Sequence, residues 1–308
     1  MDSGIGMRYN ERYARIIGVD HTPEGLTLTG LAVGRPDDCI DTFMKDCEVP
    51  FVDTGVAVGL SPGNFIMSCI CGDHGLDADS VRETLRWETE RKIISDPAGY
   101  NYDSILTEDA GFMFAGRLDL VEMVSSLLSV AEPDTSRIFT DVEPVAVYNG
   151  LMTSSAIGIE PVLVSVVEPD GLTTMVVNDR SVIYMESIPI QEHELYGVLP
   201  PSGASGGFDE DNEITQRLTG YIRDSRDRMV RKLTAAEKKI PGSLLLTGAG
   251  VYAGNLAGSA GAELGMDCEV FNPFMSLVVD VPLNQQELAE YGAAFVSCLG
   301  LALRAMEG

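Results

Sequence analysis

Short apolar stretches of the first part of the chain, separated by turn sequences, predict β-strands. Residues 14–20, ARIIGVD, form an apolar run that ends in a carboxylate, and residues 26–33 follow the turn sequence TPEG. Two such runs on either side of a short turn predict a hairpin. Further strands are expected at 55–60 and 64–71.

After these strands, the spacing of apolar residues predicts helices. Ser80 and Glu83 have the spacing of a capping box, which predicts a helix from Ser80 to about Ile94. Apolar residues recur every three or four positions over 118–131 and favour another helix. More strands are expected at 100–107, 111–116 and 137–142, and a linker is expected near 158.

The second half of the chain begins with strands, as the first half does. Three apolar runs predict a three-strand meander: 161–167, 173–177 and 181–190. Residues 197–212 are rich in Gly, Pro, Ser and acidic residues and predict a loop, which a helix at 213–234 follows. Two halves that each open with strands indicate a duplicated architecture.

The last part of the chain combines a glycine-rich turn with a long apolar helix. Residues 243–250, SLLLTGAG, predict a strand that runs into the turn, and a helix is expected from about 253. A short strand is expected at 268–273. Residues 286–306 carry the continuous apolar stripe of a core helix.

The net charge of the chain disfavours some classes of binding partner. Its 47 Asp and Glu residues outnumber its 21 Lys and Arg residues, which gives a net charge of −26. Such a field repels the phosphates of nucleic acids and anionic membrane surfaces. We identify no signal peptide and no apolar run near the roughly 20 residues that span a bilayer. We therefore expect a cytoplasmic protein that binds no nucleic acid and does not insert into the membrane.

The six cysteines favour free thiols over a disulfide framework in a chain of 308 residues. Cys69, Cys71 and His74 lie close enough in sequence to suggest a metal site. The two cysteines, however, alternate with apolar neighbours as in a strand, and no second group of ligands follows. A structural zinc site is therefore not expected.

Five segments, in order, resemble those of a known family. They are IIGVD, LRWETERKI, DVEPVAVYNG, the run from LLLTGAG to CEVFNPF, and GLALRA. Together they resemble the type IV pilus assembly PilM family, relatives of FtsA and of the actin and Hsp70 ATPases. The resemblance implies an α/β, actin-like (ribonuclease-H-like) fold of two lobes, 1–158 and 159–308. It also implies a small subdomain inserted at about 61–110 and a last helix, about 286–306, that packs toward the first lobe.

The resemblance also implies which residues would bind nucleotide. Asp20 would end the first phosphate strand, with Thr22 in the hairpin that follows, and Glu143 would meet Mg²⁺ through water. The adenosine side would use Thr247, Gly248 and Gly250. From the residues alone, Glu143 is more often an exposed or N-capping residue, and 247–250 is equally a plain strand-to-helix turn.

The nucleotide motifs depart from the family pattern. Thr22 stands at a glycine position, Pro23 removes a backbone donor, and Glu24 adds negative charge beside the phosphates. In the second hairpin, Pro169 or Asp170 stands where glycine is expected.

The lid that covers the adenosine in the family is expected to be reduced or missing. Only about twenty residues separate the end of the meander from the helix that begins near 213.

These departures favour a non-catalytic scaffold over an enzyme. We expect a protein of a type IV pilus assembly platform that lies at the inner membrane through its partners. The resemblance implies that it binds the cytoplasmic tail of a PilN-like membrane protein and contacts other platform proteins, without a cofactor. The alternative is an active ATPase that binds Mg·ATP, and a third possibility is a scaffold of type II secretion.

Overall fold

A computed structural model defines the fold. It describes residues 2–10, 12–46, 54–72, 77–128, 138–154, 157–193, 195, 213–282 and 285–307.

The described residues form strands in three sheets, together with helices that cover them. The strands are β1 (Ser3–Asn10), β2 (Tyr13–Thr22), β3 (Gly25–Gly34), β4 (Gly55–Leu60), β5 (Phe65–Cys71), β6 (Tyr100–Leu106), β7 (Ala110–Arg117), β8 (Ile138–Val142), β9 (Val162–Glu168), β10 (Gly171–Asn178), β11 (Ser181–Pro189), β12 (Ser243–Thr247), β13 (Asp267–Val270) and β14 (Val278–Val279). The helices are α1 (Pro36–Asp46), α2 (Ala78–Glu90), α3 (Leu118–Leu128), α4 (Glu143–Leu151), α5 (Glu213–Ala235), α6 (Leu256–Leu264), α7 (Gln285–Tyr291) and α8 (Val296–Glu307).

The first lobe is built on a six-stranded sheet in the order β14-β3-β2-β1-β4-β8. Strands β1 to β3 form an antiparallel meander, and β4 and β8 run parallel to β1. Helices α1 and α3 contribute to one core of this lobe, and α8 contributes to another. The sheet is thus covered by helices on both faces, which buries its apolar strands.

The second lobe repeats this topology. Its sheet has the order β11-β10-β9-β12-β13, in which a three-strand meander is followed by two parallel strands. The meander predicted for the second half of the chain is confirmed. Strands β3-β2-β1-β4-β8 and β11-β10-β9-β12-β13 therefore correspond one to one, which supports the duplicated architecture.

An inserted subdomain separates β4 from α3. It consists of the three-stranded sheet β5-β7-β6 and helix α2. Phe65, Phe112 and Phe114 of this subdomain share a core with Val164 and Met175 of the second lobe. The inserted subdomain thus packs directly against the second lobe.

The predicted strand at 14–20 and its hairpin with 26–33 are confirmed as β2 and β3, but this strand is the second one and not the first phosphate strand, because β1 precedes it. The sequence SGIGMRYN has no strong strand pattern, since glycines and polar residues interrupt it. Gly4 and Gly6 are required by the backbone of α8: a Cβ atom on Gly6 would lie 1.9 Å from the carbonyl oxygen of Cys298. The first hairpin therefore turns between Asn10 and Tyr13, and the turn after Asp20 joins β2 to β3.

The residues from α7 to the end of α8 form a long apolar helical stretch, as expected. Among the described residues, Gln286–Glu307 is long and apolar enough to cross a membrane by length and composition, with a mean hydropathy of 1.3. Its most apolar window, however, is 72% buried inside the fold. Helix α8 packs against β1, β4 and α4, as the core helix of a folded domain does.

Helices α4 and α8 pack with unusually close backbones. A Cβ atom on Gly300 would lie 1.7 Å from the carbonyl oxygen of Ala146, and one on Gly150 would lie 2.3 Å from that of Val296. Only glycine permits this approach, since any side chain would separate the helices. The contact fixes the start of α4, which carries Glu143, relative to the sheet of the first lobe.

Candidate functional site

The β1–β2 turn of the first lobe faces the β9–β10 turn of the second lobe. Asn10 Nδ2 donates to Asp170 Oδ2 at 2.9 Å, and the Arg8 guanidinium is hydrogen-bonded to the other oxygen of the same carboxylate. The two turns occupy equivalent positions in the two sheets. The space between them, the interlobe cleft, is the candidate site.

The Asn10 side chain satisfies the backbone donors of the first turn. Its Oδ1 atom accepts hydrogen bonds from the N–H groups of Arg12, at 2.9 Å, and Tyr13, at 2.8 Å. An anion held by such a turn would need these same N–H groups. The turn therefore uses its own side chain where a bound phosphate would otherwise accept.

Arg8 links the start of α4 to the second lobe. Its Nε atom donates to Glu143 Oε2 at 2.7 Å, and its Nη2 atom donates to Asp170. The Arg8 side chain is 2% exposed and that of Glu143 is fully buried. Glu143 is thus neither exposed nor an N-cap, since the N-cap of α4 is Val142.

Arg15 makes a parallel link from β2. Its Nη2 atom donates to Glu168 Oε2 at 2.5 Å, and its Nη1 atom donates to the carbonyl oxygen of Ala294. Arg8 and Arg15 are directly opposite each other in the β1–β2 register. Two neighbouring arginines of the first lobe thus reach two carboxylates of the β9–β10 hairpin.

We call these five side chains the cleft ion network. Their charges explain why one of the carboxylates has a raised pKa. The network contains two guanidinium groups, Arg8 and Arg15, and three carboxylates, Glu143, Glu168 and Asp170. One negative charge would therefore remain if every group were ionised. Burial, aided by the other two carboxylates, raises the pKa of Glu143 to about 7 against the opposing attraction of Arg8.

Asp170 and Arg8 also have shifted pKa values, and both shifts favour the charged form. Burial alone would raise the pKa of Asp170, but the charge and hydrogen bond of Arg8 outweigh it and lower the pKa. Burial likewise acts to lower the pKa of Arg8, but Asp170 and Glu143 raise it well above its ordinary value. Of the groups with a shifted pKa, Glu143 is therefore the one that favours the surplus proton below about pH 7.

The glycine turn after β12 lies beside the end of β9. Thr247 Oγ1 lies 2.9 Å from the carbonyl oxygen of Ala293, and the Gly248 N–H donates to that oxygen at 2.9 Å. Gly248 has a φ of 90°, and a Cβ atom on Gly250 would lie 2.3 Å from Val167 Cγ1. The turn is buried, and its first donors are bound by the protein itself.

Asp20 and Thr22 lie away from this cleft. Asp20 is opposite Ser3 in the β1–β2 register, whereas Arg8 is opposite Arg15. Arg8 is five positions further along β1 than Ser3, which corresponds to about 17 Å. The Thr22 hydroxyl is hydrogen-bonded within its own turn, to Gly25 O at 3.0 Å. The structure thus brings Glu143 and 247–250 to the cleft region, and leaves Asp20 and Thr22 at the other end of the sheet.

Sequence reasoning missed Arg8, Asn10 and Arg15. A usable signal exists, because arginine interrupts two apolar strands at positions that pair in a hairpin. A buried arginine in a strand requires a buried carboxylate. The acids at 168 and 170 close the equivalent hairpin of the second half.

A second concave site lies between the inserted subdomain and the second lobe. It is a cavity of about 990 Å³ between β5, β11 and α5, which we call the lateral groove. Its apolar wall includes Phe65, Met67 and Met185. Its basic residues are Lys92, Arg228, Arg231 and Lys232.

Lysines of the lateral groove bind the edge of β5. Lys92 Nζ donates to Met67 O at 2.8 Å, and Lys232 Nζ donates to Cys69 O at 3.4 Å. Strand β5 is an edge strand of its sheet, and β11 is an edge strand of the sheet in the second lobe. The groove therefore lies between two strand edges. Within the described part of the chain, no group of three or more His, Cys, Asp or Glu residues could hold a metal.

Solved structures share this fold. The chain is similar to one in a PilM–PilN type IV pilus biogenesis complex, with 18% identity, 99% of each chain covered and a TM-score of 0.71. It is also similar to a protein of unknown function with an actin-like ATPase fold from Bacteroides thetaiotaomicron. That match has 8% identity, covers 88% of this chain and 91% of the other, and has a TM-score of 0.52.

These similarities show that the chain has the actin-like ATPase fold. The expected fold class and the resemblance to PilM are confirmed at the level of structure. The cytoplasmic domain of EpsL from Vibrio cholerae matches at 12% identity over 61% of this chain and 71% of that one, with a TM-score of 0.41. No family model and no curated protein matches the sequence. The segment 196–212, where a reduced lid was expected, lies outside the described residues.

Proposed function

We propose that this chain is a non-catalytic scaffold of a type IV pilus, or related secretion, assembly platform. In this proposal it lies on the cytoplasmic side of the inner membrane and binds the cytoplasmic tail of a PilN-like membrane protein. The similarity to a chain of a PilM–PilN complex over 99% of both chains supports the type of machinery. The cleft ion network is the observation that supports a scaffold over an ATPase.

The cleft ion network fills the space between the β1–β2 and β9–β10 turns, and it includes Glu143, the acid that the family resemblance would put near Mg²⁺. Seating a nucleotide there requires breaking the contacts of Arg8 and Asn10 with Asp170, and of Arg15 with Glu168. Breaking one buried ion pair costs about 3–5 kcal/mol when a charge is left alone. The freed carboxylates would also repel the phosphates. ATP could therefore bind only at the cost of the contacts that hold the two turns together.

Magnesium fits these residues poorly as well. Mg²⁺ takes carboxylate oxygens and water in an octahedral arrangement. Glu143, the acid expected to meet it through water, is instead bound to Arg8 at 2.7 Å and has a raised pKa. The proposal therefore assigns no role to Mg·ATP.

The lateral groove is the site we assign to the partner tail. The family resemblance implies a groove between the first lobe and its inserted subdomain. The 990 Å³ cavity runs along β5 of the same subdomain but on the side that faces the second lobe, so we assign the tail to it on its shape and lining. Edge strands accept extended peptides, and apolar side chains such as Phe65 and Met67 supply pockets for alternate residues of a peptide. A short extended tail matches a groove between two strand edges.

Calorimetric titration with Mg·ATP tests the non-catalytic assignment. We expect no heat of binding at millimolar nucleotide, and no change in the melting temperature of the protein. Submicromolar affinity for Mg·ATP would contradict the assignment and favour an active ATPase.

A tail-binding experiment tests the partner assignment. Tail peptides of inner-membrane proteins encoded in the same genome are titrated into the wild-type chain and into a Met67→Glu variant. We expect one PilN-like tail to bind, and Met67→Glu to weaken it at least about tenfold by placing a charge in the apolar wall.

Ile105→Glu is the matched control, because Ile105 is a partly exposed residue of the same sheet outside the groove. If a PilN-like tail binds the Met67→Glu and Ile105→Glu variants equally well, its binding site lies outside the lateral groove. Failure of all such tails would contradict the scaffold function itself.

A further inference from the structure

Two cysteines of β5 form a close thiol pair on the wall of the lateral groove. Cys69 and Cys71 are two residues apart in the strand and therefore point to the same face. Their Sγ atoms are 3.5 Å apart, and both residues are partly exposed. Both line the cavity of about 990 Å³, so a small reagent has access to them.

The surroundings of the pair make the two thiols unequal. The hydrogen bond from Cys69 lowers the pKa of Cys71, and the charge of Lys232 acts in the same direction. The same hydrogen bond and burial raise the pKa of Cys69. Because the thiolate is the reactive form of cysteine, Cys71 is the better nucleophile, and Cys69 is the neighbouring thiol that can resolve its oxidation product.

The other described cysteines lack this environment. Cys39 and Cys298 are buried, and burial raises their pKa values to about 12 and about 11. Burial also raises the pKa of Cys268 to about 11. Reactivity toward an oxidant should therefore concentrate on β5.

We propose that Cys69 and Cys71 form a reversible redox site whose oxidant is a peroxide. The Cys71 thiolate attacks one peroxide oxygen, the O–O bond breaks, and the leaving oxygen takes a proton to become water. The sulfenic acid on Cys71 is then attacked by the Cys69 sulfur, which forms the S–S bond and releases a second water. Two thiols and one hydrogen peroxide thus give one disulfide and two waters.

The strand geometry makes this disulfide readily reversible. Alternate Cα atoms of a strand lie about 6.6–6.8 Å apart, near the upper limit of the distance that a disulfide spans. Disulfides at such limits are more easily reduced. The site is therefore suited to a transient oxidation and not to a permanent cross-link.

Oxidation would also change the wall of the lateral groove. The backbone of Met185, on β11 of the second lobe, acts to lower the pKa of the Cys69 thiol, so the two groups are neighbours. Drawing this sulfur toward Cys71 alters a contact between the inserted subdomain and the second lobe. The redox site itself does not depend on the function proposed for the groove.

Peptide mapping after peroxide treatment tests this inference. The full chain carries Cys47→Ser, because Cys47 lies outside the described residues. It is treated with one equivalent of hydrogen peroxide and alkylated with N-ethylmaleimide. We expect the peptide that contains residues 69–71 to lose two hydrogens and to regain them with dithiothreitol, while Cys39, Cys268 and Cys298 are recovered as N-ethylmaleimide adducts.

Three variants separate a specific site from general oxidation. Cys69→Ser should leave a sulfenic acid on Cys71 that dimedone captures, whereas Cys71→Ser should leave Cys69 without a dimedone adduct. Lys232→Gln should slow oxidation of the pair about three- to tenfold, since it removes the cation that favours the thiolate. Oxidation of Cys268 as fast as the pair, a disulfide between two chains, or an unreacted 69–71 peptide would overturn the proposal.

Discussion

Arg15 and Glu168 form an ion pair in which Nη2 and Oε2 are 2.5 Å apart, and both side chains are completely buried. Arg15 belongs to β2 of the first lobe, and Glu168 ends β9 of the second lobe. A buried ion pair is stable only while both partners are present. The pair therefore holds the two lobes together without a bound ligand.

Removing Arg15 should destabilise the whole protein. Arg15→Met leaves the Glu168 carboxylate buried without its partner, which should lower the free energy of unfolding by about 3–5 kcal/mol. Urea denaturation measures this change. The double variant Arg15→Met, Glu168→Leu should recover most of the loss, because no isolated charge remains.

Arg86→Met serves as the control for this prediction. Arg86 pairs with Glu90 on the exposed surface of α2, and such pairs contribute at most about 1 kcal/mol. Equal losses in Arg15→Met and Arg86→Met would show that the cleft pair is not buried in solution.

Stability should depend on pH through Glu143. Its pKa is about 7 in the folded protein against an ordinary value of 4.5, so the folded state binds more protons between these values. Its contribution is fully present below about pH 4.5 and is lost as the pH rises through 7, by on the order of 3 kcal/mol.

The Glu143→Gln variant isolates this contribution, because glutamine does not titrate. The free energy of unfolding, measured by urea denaturation from pH 5 to 8, should fall less steeply with pH in the variant than in the wild type. Asp141→Asn provides a comparison, because burial raises the pKa of Asp141 to only about 6. Identical slopes for wild type and Glu143→Gln would refute the assignment of the proton.

The contact between α4 and α8 should not tolerate a methyl group. Gly300→Ala would put a Cβ atom 1.7 Å from the carbonyl oxygen of Ala146, which should cost about 3 kcal/mol or more, or prevent folding. Thermal denaturation of the purified variants measures the effect. Gly158→Ala, where nothing lies within 4 Å, should stay within about 0.5 kcal/mol of the wild type. A Gly300→Ala protein as stable as the Gly158→Ala protein would show that the helices are farther apart.

The first turn should loosen when Asn10 is shortened. Asn10→Ala removes the acceptor of the Arg12 and Tyr13 N–H groups and the donor to Asp170, at a cost of about 1–3 kcal/mol. Hydrogen exchange of the Arg12 and Tyr13 amides should accelerate, and denaturation gives the energy. Asn64→Ala, whose amide donates to the Ser61 hydroxyl at 3.1 Å, should not change those two exchange rates.

Strands with a regular apolar pattern were predictable from the sequence. The runs at 55–60 and 161–167 correspond to β4 and β9, because these strands are buried and carry few polar residues. Strand β1 was not predictable in this way. Its glycines are selected by α8, and its arginine by carboxylates 135 and 162 residues away.

Because the sequence analysis did not predict β1, it assigned part of the site to the wrong hairpin. Counting from residues 14–20 put Asp20 in the cleft, whereas the hairpin that reaches the cleft turns after Asn10. Glu143 was placed next to the cleft by its motif, but its partner Arg8 could not be identified from spacing. Contacts between distant parts of the chain decide whether such an acid is free for a metal or held by an arginine.

Residues 278–307 bear on the order in which the chain can fold during synthesis. Strand β14 adds to β3, and α8 covers β1 and β4, so the first lobe completes its core with residues that are made only after the strands of the second lobe. The nascent first half carries an open sheet edge and an uncovered glycine-containing strand until then. Such chains are prone to aggregate, so this protein should depend on chaperones more than one whose N-terminal domain folds independently.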